Sequence, residues 1–319
     1  MVHNPKLVAV LHNPVAIAES IQQRKRWEQI FILLGWFSLL VALLTLVVLV
    51  ADLLIRGWPL LNPNFLPKFL SSPPSSDPEE AGILTAWVGS LLVILVTIVV
   101  AVPLGIGAGI YLEEYAPKNW LLDFIEINIT NLAGVPSIIY GLLALGFFVY
   151  ILNWGESILT AGCTLALLIL PVVIVTTRES LRAIPIGIRE GAYSVGASRW
   201  QTIFDHVLPY SMGGILTGII VGVSRALGET APLVTIGALT FITFLPDAPI
   251  KAEPPFISFN WLWSPFTVLP IQMFNWVSRP QEAFQINSAA AGVVLLVLTL
   301  LVNSIAIYLR YRFRKSIKF

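Results

Sequence analysis

The chain has 319 residues, 56% hydrophobic and 12% charged, with a mean hydropathy of +0.82, a balance that excludes a water-soluble globular domain and puts the chain in a membrane. Its 19 Lys and Arg offset 18 Asp and Glu to a net charge of +1, so net charge says little about partners, and no nucleic acid is expected among them. The lone Cys163 lies in an apolar run, which excludes an internal disulfide and reads as a small buried hydrophobe.

Residues 1–28 contain Pro5 and Pro14 and lack a short apolar core followed by a small-residue cleavage site; they read as a cytoplasmic tail, not a signal peptide. A spanning helix needs about 20 mostly apolar residues, and the charge-poor runs place six spans at about 30–52, 82–112, 127–152, 157–177, 209–232 and 286–309, within a membrane domain covering 29–310. The second run is longer than one crossing and carries Pro103, Gly105, Gly107 and Gly109, so a kink, a tilt or an extension beyond the bilayer is expected. At its end Glu113 and Glu114 are neighbours pointing in different directions, which reads as a solvated span terminus and not as an acid–base pair. In the third run Gly134, Pro136 and Ser137 are placed to break the helix and turn backbone groups toward a cavity. Arg178, beside Glu179, lies where the fourth span meets the inner surface and reads first as a basic anchor.

On the fifth span Gly214, Gly218 and Gly222 recur every fourth residue, which favours close approach of another helix. Above them, Arg225 and Glu229 stand within an uncharged stretch from Val207 to Pro246. A charge at bilayer depth costs about 2.5 to 3.5 kcal/mol, so ionisable residues there usually line a pathway or site. Four apart on a helix, these two share a face and are within reach of each other. Either they form a neutralised bridge that fixes packing, or they line a path. The segment 247–282 is rich in proline and aromatics; Trp261, Trp263, Phe266, Phe274 and Trp276 are expected at the outer interface, with docking of an external partner as the alternative. Residues 311–319 form a basic tail. With both termini cytoplasmic, most of the 19 Lys and Arg fall on the inner face, as the positive-inside rule requires.

No catalytic constellation emerges. His3, His12 and His206 are scattered, which supports neither a metal site nor a Ser-His-Asp arrangement.

The inner loop 187–206 alternates apolar and polar residues at roughly helical spacing, with Pro185 before it, Gly196 within it and Pro209 opening the next span. Glu190, Ala192, Gly196, Leu208 and Pro209 fall in the register of the EAA loop of ABC importer permeases, which this segment resembles; Gly191 replaces the middle alanine, and His206 stands where isoleucine is usual. The runs Gly105 to Ala116, Asn131 to Leu142, Ser224 to Pro232 and Asn275 to Glu282 narrow the resemblance to phosphate permeases of the PstA type.

That resemblance implies an all-helical, type I ABC importer permease fold with a cytoplasmic coupling helix, in a cell inner or plasma membrane. It implies import of inorganic phosphate by a complex with a second, homologous permease subunit, two ATPase subunits and an external phosphate-binding protein. Arg225 and Glu229 would line the substrate path, with Arg178 as an exit-side contact, while Glu190, Gly191, Ala192, Gly196 and Ala197 would couple to the ATPase. The chain lacks a Gly-x-x-x-x-Gly-Lys-Ser/Thr loop, so ATP and Mg would be bound by the partner ATPase and none is expected here. The competing readings are a permease for sulfate or molybdate and a non-transporting scaffold for phosphate signalling.

Overall fold

A computed structural model describes residues 14–238, 241–250 and 256–316. The expected tail residues before Pro14 and after Ser316, and residues 251–255 of the outer segment, lie outside the described residues. The described elements are mainly helices, α1 (Pro14–Leu61), α2 (Leu66–Ser71), α3 (Leu84–Tyr115), α4 (Trp120–Leu132), α5 (Ser137–Ile151), α6 (Ile158–Arg182), α7 (Ile186–Ser194), α8 (Arg199–Gly228), α9 (Ala231–Thr235), α10 (Leu269–Val277) and α11 (Glu282–Ser316), with one long connection between α9 and α10. Among the described residues five helices are long and apolar enough to cross a membrane: α1 from Trp27, α3, α6, α8 and α11 to Arg312; the bent pair α4 and α5 makes a sixth if counted as one span.

The chain divides into two compact units, Met1–Ile55 and Arg56–Phe319. In the first, α1 from 30 to 51 is apolar on all sides and exposes Phe31, Leu33, Trp36 and Val48, the character of a helix solvated by lipid. In the second, α6 is the axis, with 67% of its most apolar window buried against 17% for α11. Lipid tails are as apolar as leucine, so helices in a bilayer associate through close packing, and small residues make that possible. On α3, a Cβ at Gly105 would lie 2.6 Å from Val173, and one at Gly109 2.7 Å from Thr177, both on α6. In return, Gly162 of α6 receives Val96, at 2.4 Å. On the other side of α6, Gly214 and Gly218 of α8 sit against Ser180 and Thr176, where a Cβ would approach to 2.3 and 2.0 Å. The glycine stripe of the fifth span is thus a packing seam.

The third span is broken, at the residues the sequence singled out. Pro136 adopts φ −54° and ψ 134°, which is not helical, and α4 and α5 diverge by 104°. The freed carbonyl groups at the end of α4 find partners: Leu132 O accepts from the Tyr140 hydroxyl at 2.8 Å and from Val135 N at 3.1 Å. Pro103, by contrast, is accommodated inside α3. Three stretches widen into π-helix, Tyr111–Tyr115 at the end of α3, Leu145–Ile151 in α5 and Thr202–Val207 near the start of α8. Such turns are rare and recur at functional sites.

The aromatic segment does not form the expected interfacial belt. Trp261, Phe266 and Trp276 are 7%, 2% and 0% exposed, whereas Trp263 and Phe274 are 53% and 62% exposed. The reason is that hydroxyls on α3 hold this segment down: Leu269 N donates to Ser90 Oγ at 2.9 Å, and Thr85 Oγ1 donates to Ile242 O at 2.9 Å. Gly89 lets the backbone approach so closely that a Cβ there would lie 2.1 Å from Thr267 O. The segment caps the bundle end opposite α7 and supplies part of its core.

Candidate functional site

Two regions concentrate charge on the second unit. The first is the end of the bundle from which α7 projects. Helix α7 stops because Gly196 takes φ +87°, a left-handed conformation costly for any residue with a Cβ. Gly196 N donates to Tyr193 O at 3.0 Å and Ala197 N to Ala192 O at 3.1 Å, the two bonds of a Schellman stop. Two residues later Ser198 and Gln201 form a reciprocal capping box that starts α8. The loop expected over 187–206 is therefore a helix, a sharp turn and the opening of the next span. Glu190, Gly191 and Gly196 face solvent and Ala192 is buried; Val195 and Trp200 expose 83% and 61% of their surface beside them.

Beneath α7 the π-turn at the end of α3 presents successive residues to different neighbours. Glu113 receives Arg182 through two bonds, Nε to Oε1 at 3.1 Å and Nη2 to Oε2 at 2.9 Å, and Arg178 Nη2 at 3.4 Å. Arg178 also pairs with Glu126 of α4. Glu114 accepts from Arg189 Nη2 of α7 at 2.7 Å. Arg189 further donates to Leu181 O at 2.9 Å and Ile184 O at 2.8 Å, satisfying carbonyls at the end of α6, where a cation is also favoured by the helix dipole. Tyr115 carries the Arg199 guanidinium over its ring at 5.2 Å. An apolar cluster of Ile110, Leu181, Ile203 and Val207 packs beside this network.

These contacts correct the reading of Glu113 and Glu114 as a solvated terminus. The Glu114 and Arg189 side chains are 9% and 17% exposed, and Glu113 is 16% exposed. Helical neighbours do point apart, but three helix ends converge here and give each carboxylate its own arginine. Arg178 is likewise more than a basic anchor: it is buried, with its charge shared between Glu113 and Glu126 and its Nε without a partner, and it lines a cavity of about 350 Å3 together with Glu126, Asn131 and Glu179.

The second region surrounds Arg225, exposed in the last turn of α8. Ser224 Oγ lies 2.7 Å from Asn303 Oδ1 of α11, pinning that turn. The helix ends at Gly228, and Glu229 is extended at φ −82° and ψ 124°. Arg225 and Glu229 therefore do not share a helical face, and no ion pair joins them among the described residues. The helix stops before Glu229 is reached, and Pro232 lies in the first turn of the short helix α9. Helix α9 packs tightly on α5: a Cβ at Gly141 would lie 2.7 Å from Pro232 Cα. The break after α8 thus sits beside the α5 half of the broken span. Below Arg225, toward α7, a cavity of about 530 Å3 runs between α6 and α8, lined by Thr176, Glu179, Ser180, Tyr210, Thr217 and Val221 among others. Interrupted helices free backbone polar groups, which a bilayer protein tolerates where they are buried in protein or line a cavity. No cluster of three or more metal-ligating side chains occurs among the described residues.

A profile of the family described as the binding-protein-dependent transport system inner membrane component matches residues 101–318. The chain belongs to this family. It is 31% identical over 308 residues to the phosphate transport system permease protein PstA of Yersinia pestis, covering 92% of this chain and 95% of that one. It is 30% identical over 221 residues to the probable ABC transporter permease protein YqgI of Bacillus subtilis, covering 69% of each. A bacterial ABC transporter involved in the import of the acidic polysaccharide alginate superposes with a TM-score of 0.57 over 90% of this chain and 99% of that one, at 13% identity, a likeness of fold alone. The permease is a multi-pass membrane protein and not a member of an enzyme family.

In this permease the residues singled out by sequence fall into separate places. Glu190, Gly191, Ala192, Gly196 and Ala197 lie together on α7 and its turn. Arg178 lies in the ion network at the base of α7, and Arg225 and Glu229 flank the break after α8. Glu114, Glu126, Arg182 and Arg189 carry no site signal in sequence, because each looks like a charge at the membrane edge, Glu114 as part of a solvated terminus. The available signal was numerical: acidic and basic residues accumulate at the same membrane edge on α3, α4, α6 and α7.

Proposed function

We propose that this permease is the PstA-type subunit of an ATP-driven importer of inorganic phosphate. The observation that carries the reading is the match over nearly the full length of both chains to a phosphate permease. The geometry supports it. Arg225 offers a delocalised cation with several donors at a helix break, suited to a tetrahedral oxyanion, and Glu229 is placed to accept a hydrogen bond from a protonated phosphate. The cavity between α6 and α8, into which Thr176, Ser180, Tyr210 and Thr217 bring hydroxyls, would carry the path on from Arg225, and Arg178 would meet the anion from the separate cavity that it lines. The anion must also leave, so affinity at Arg225 stays modest.

The permease works beside a second, homologous permease subunit that completes the path. Two ATPase subunits bind ATP and Mg and engage α7 through Glu190, Gly191, Ala192, Gly196 and Ala197; an external phosphate-binding protein delivers the solute. Both termini and α7 lie on the cytoplasmic side. The test is ATP-dependent phosphate uptake by the complex in liposomes. Arg225→Ala is expected to cut uptake at least about tenfold, as loss of a charge-assisted contact would, with Arg225→Lys between it and wild type. Normal uptake by both variants at equal assembly would refute a path role for Arg225, and uptake of sulfate or molybdate in place of phosphate would refute the substrate.

A further inference from the structure

Helix α7 is joined by covalent chain to α6, through Ala183–Pro185, and to α8, through Val195–Ser198. No such link reaches α3, whose last turn lies 75 residues earlier in sequence than Arg189. Yet α3 and α6 form the tight glycine seam at the centre of the bundle. The connection from α7 to α3 is polar and buried. Glu114 accepts from Arg189, and the same guanidinium is held by Leu181 O and Ile184 O at the end of α6. One arginine on α7 thus grips the ends of both central helices. Three of its five N–H donors are engaged in a fixed planar geometry, so displacing α7 without displacing α3 and α6 would strand a carboxylate that is 9% exposed.

We propose that Glu114 and Arg189 form the joint that passes movement of α7 to α3 and α6, making them positioning residues for the coupling of ATP hydrolysis to solute movement. This rests on the reading of α7 as the ATPase-engaging helix. The π-turn contributes by altering the helical register at the end of α3, so that Glu113 turns to α6 while Glu114 turns to α7. Glu113 holds the two membrane helices to each other, and Glu114 ties them to the loop outside.

The test uses the whole complex and two readouts. In liposomes, Glu114→Gln is expected to lower phosphate moved per ATP hydrolysed about tenfold, the scale of a coupling interaction, while hydrolysis continues; Glu114→Asp, which keeps the charge, should recover part of the ratio. Uptake and hydrolysis falling in proportion at equal assembly, or an unchanged ratio, would overturn the joint. The second readout does not depend on the solute. With Cys163→Ala as background, spin labels at Gly187→Cys on α7 and Lys118→Cys after α3 report their separation in the assembled complex, with and without a non-hydrolysable ATP analogue. A single narrow distribution that keeps its width is expected for wild type and a broadened one for Glu114→Gln; identical distributions would also overturn the joint. If Glu114→Gln fails to assemble, Arg189→Lys, which keeps the cation but cannot reach all three acceptors, takes its place in both measurements. A wild-type complex that moves no phosphate refutes the substrate assignment, and the distance measurement then decides the joint alone.

Discussion

Gly191 and Gly196 lie five positions apart in the same short motif and answer to different physics. At Gly196 the backbone is left-handed, φ +87°, because the Schellman stop requires it. Gly196→Ala should therefore destabilise the end of α7 by about 1 kcal/mol, read as faster hydrogen exchange at Tyr193 to Ala197. At Gly191 the backbone is helical and a Cβ would meet nothing within 4 Å. Gly191→Ala should slow exchange across α7, a gain of about 0.5 to 1 kcal/mol. Opposite signs from the same substitution would separate conformational demand from mere smallness. Slower exchange in Gly196→Ala would show that the left-handed stop is not what ends the helix.

The helices are held by surface shape more than by apolar area. Where lipid already solvates a side chain, a wider interface gains little unless the backbones approach, and the seams on α6 do so through Gly105, Gly109 and Gly162 on one side and Gly214 and Gly218 on the other. Gly218→Val would drive two methyl groups into Thr176, and overpacking of this kind costs about 1 to 3 kcal/mol. The expected result is a lower unfolding midpoint in detergent, with Gly213→Ala, at an open position, left near wild type. A midpoint unchanged by Gly218→Val would mean that α8 is not seated on α6 in this way.

Taken whole, the second unit has two differently built ends. The end bearing α7 is an ion network linking α3, α4, α6 and α7, while the opposite end is capped by buried aromatics and hydroxyl-to-backbone bonds. A charged end can be re-paired and moved; a close-packed aromatic end resists displacement. The proposed orientation is checked in sealed right-side-out cells with Cys163→Ala as background. Val195→Cys is expected to resist an impermeant thiol reagent until the membrane is opened, and Trp263→Cys to react at once. Labelling of both from one side would refute the topology.

The sequence by itself determined that the chain spans a membrane, where most apolar helices lie, where the third run breaks and which segment resembles the EAA loop. Each of these is local: apolar run length, proline and glycine placement, and a turn that only glycine fits are properties of neighbouring residues. The tertiary structure decided what the charges and aromatics do. Glu114 became a buried partner of Arg189, 75 residues away. Arg225 and Glu229 were separated by a helix end, and Trp276 was drawn into the core beneath an outer cap. Whether a side chain meets lipid, water or an opposite charge depends on which helices converge around it, and that follows from packing across the whole bundle.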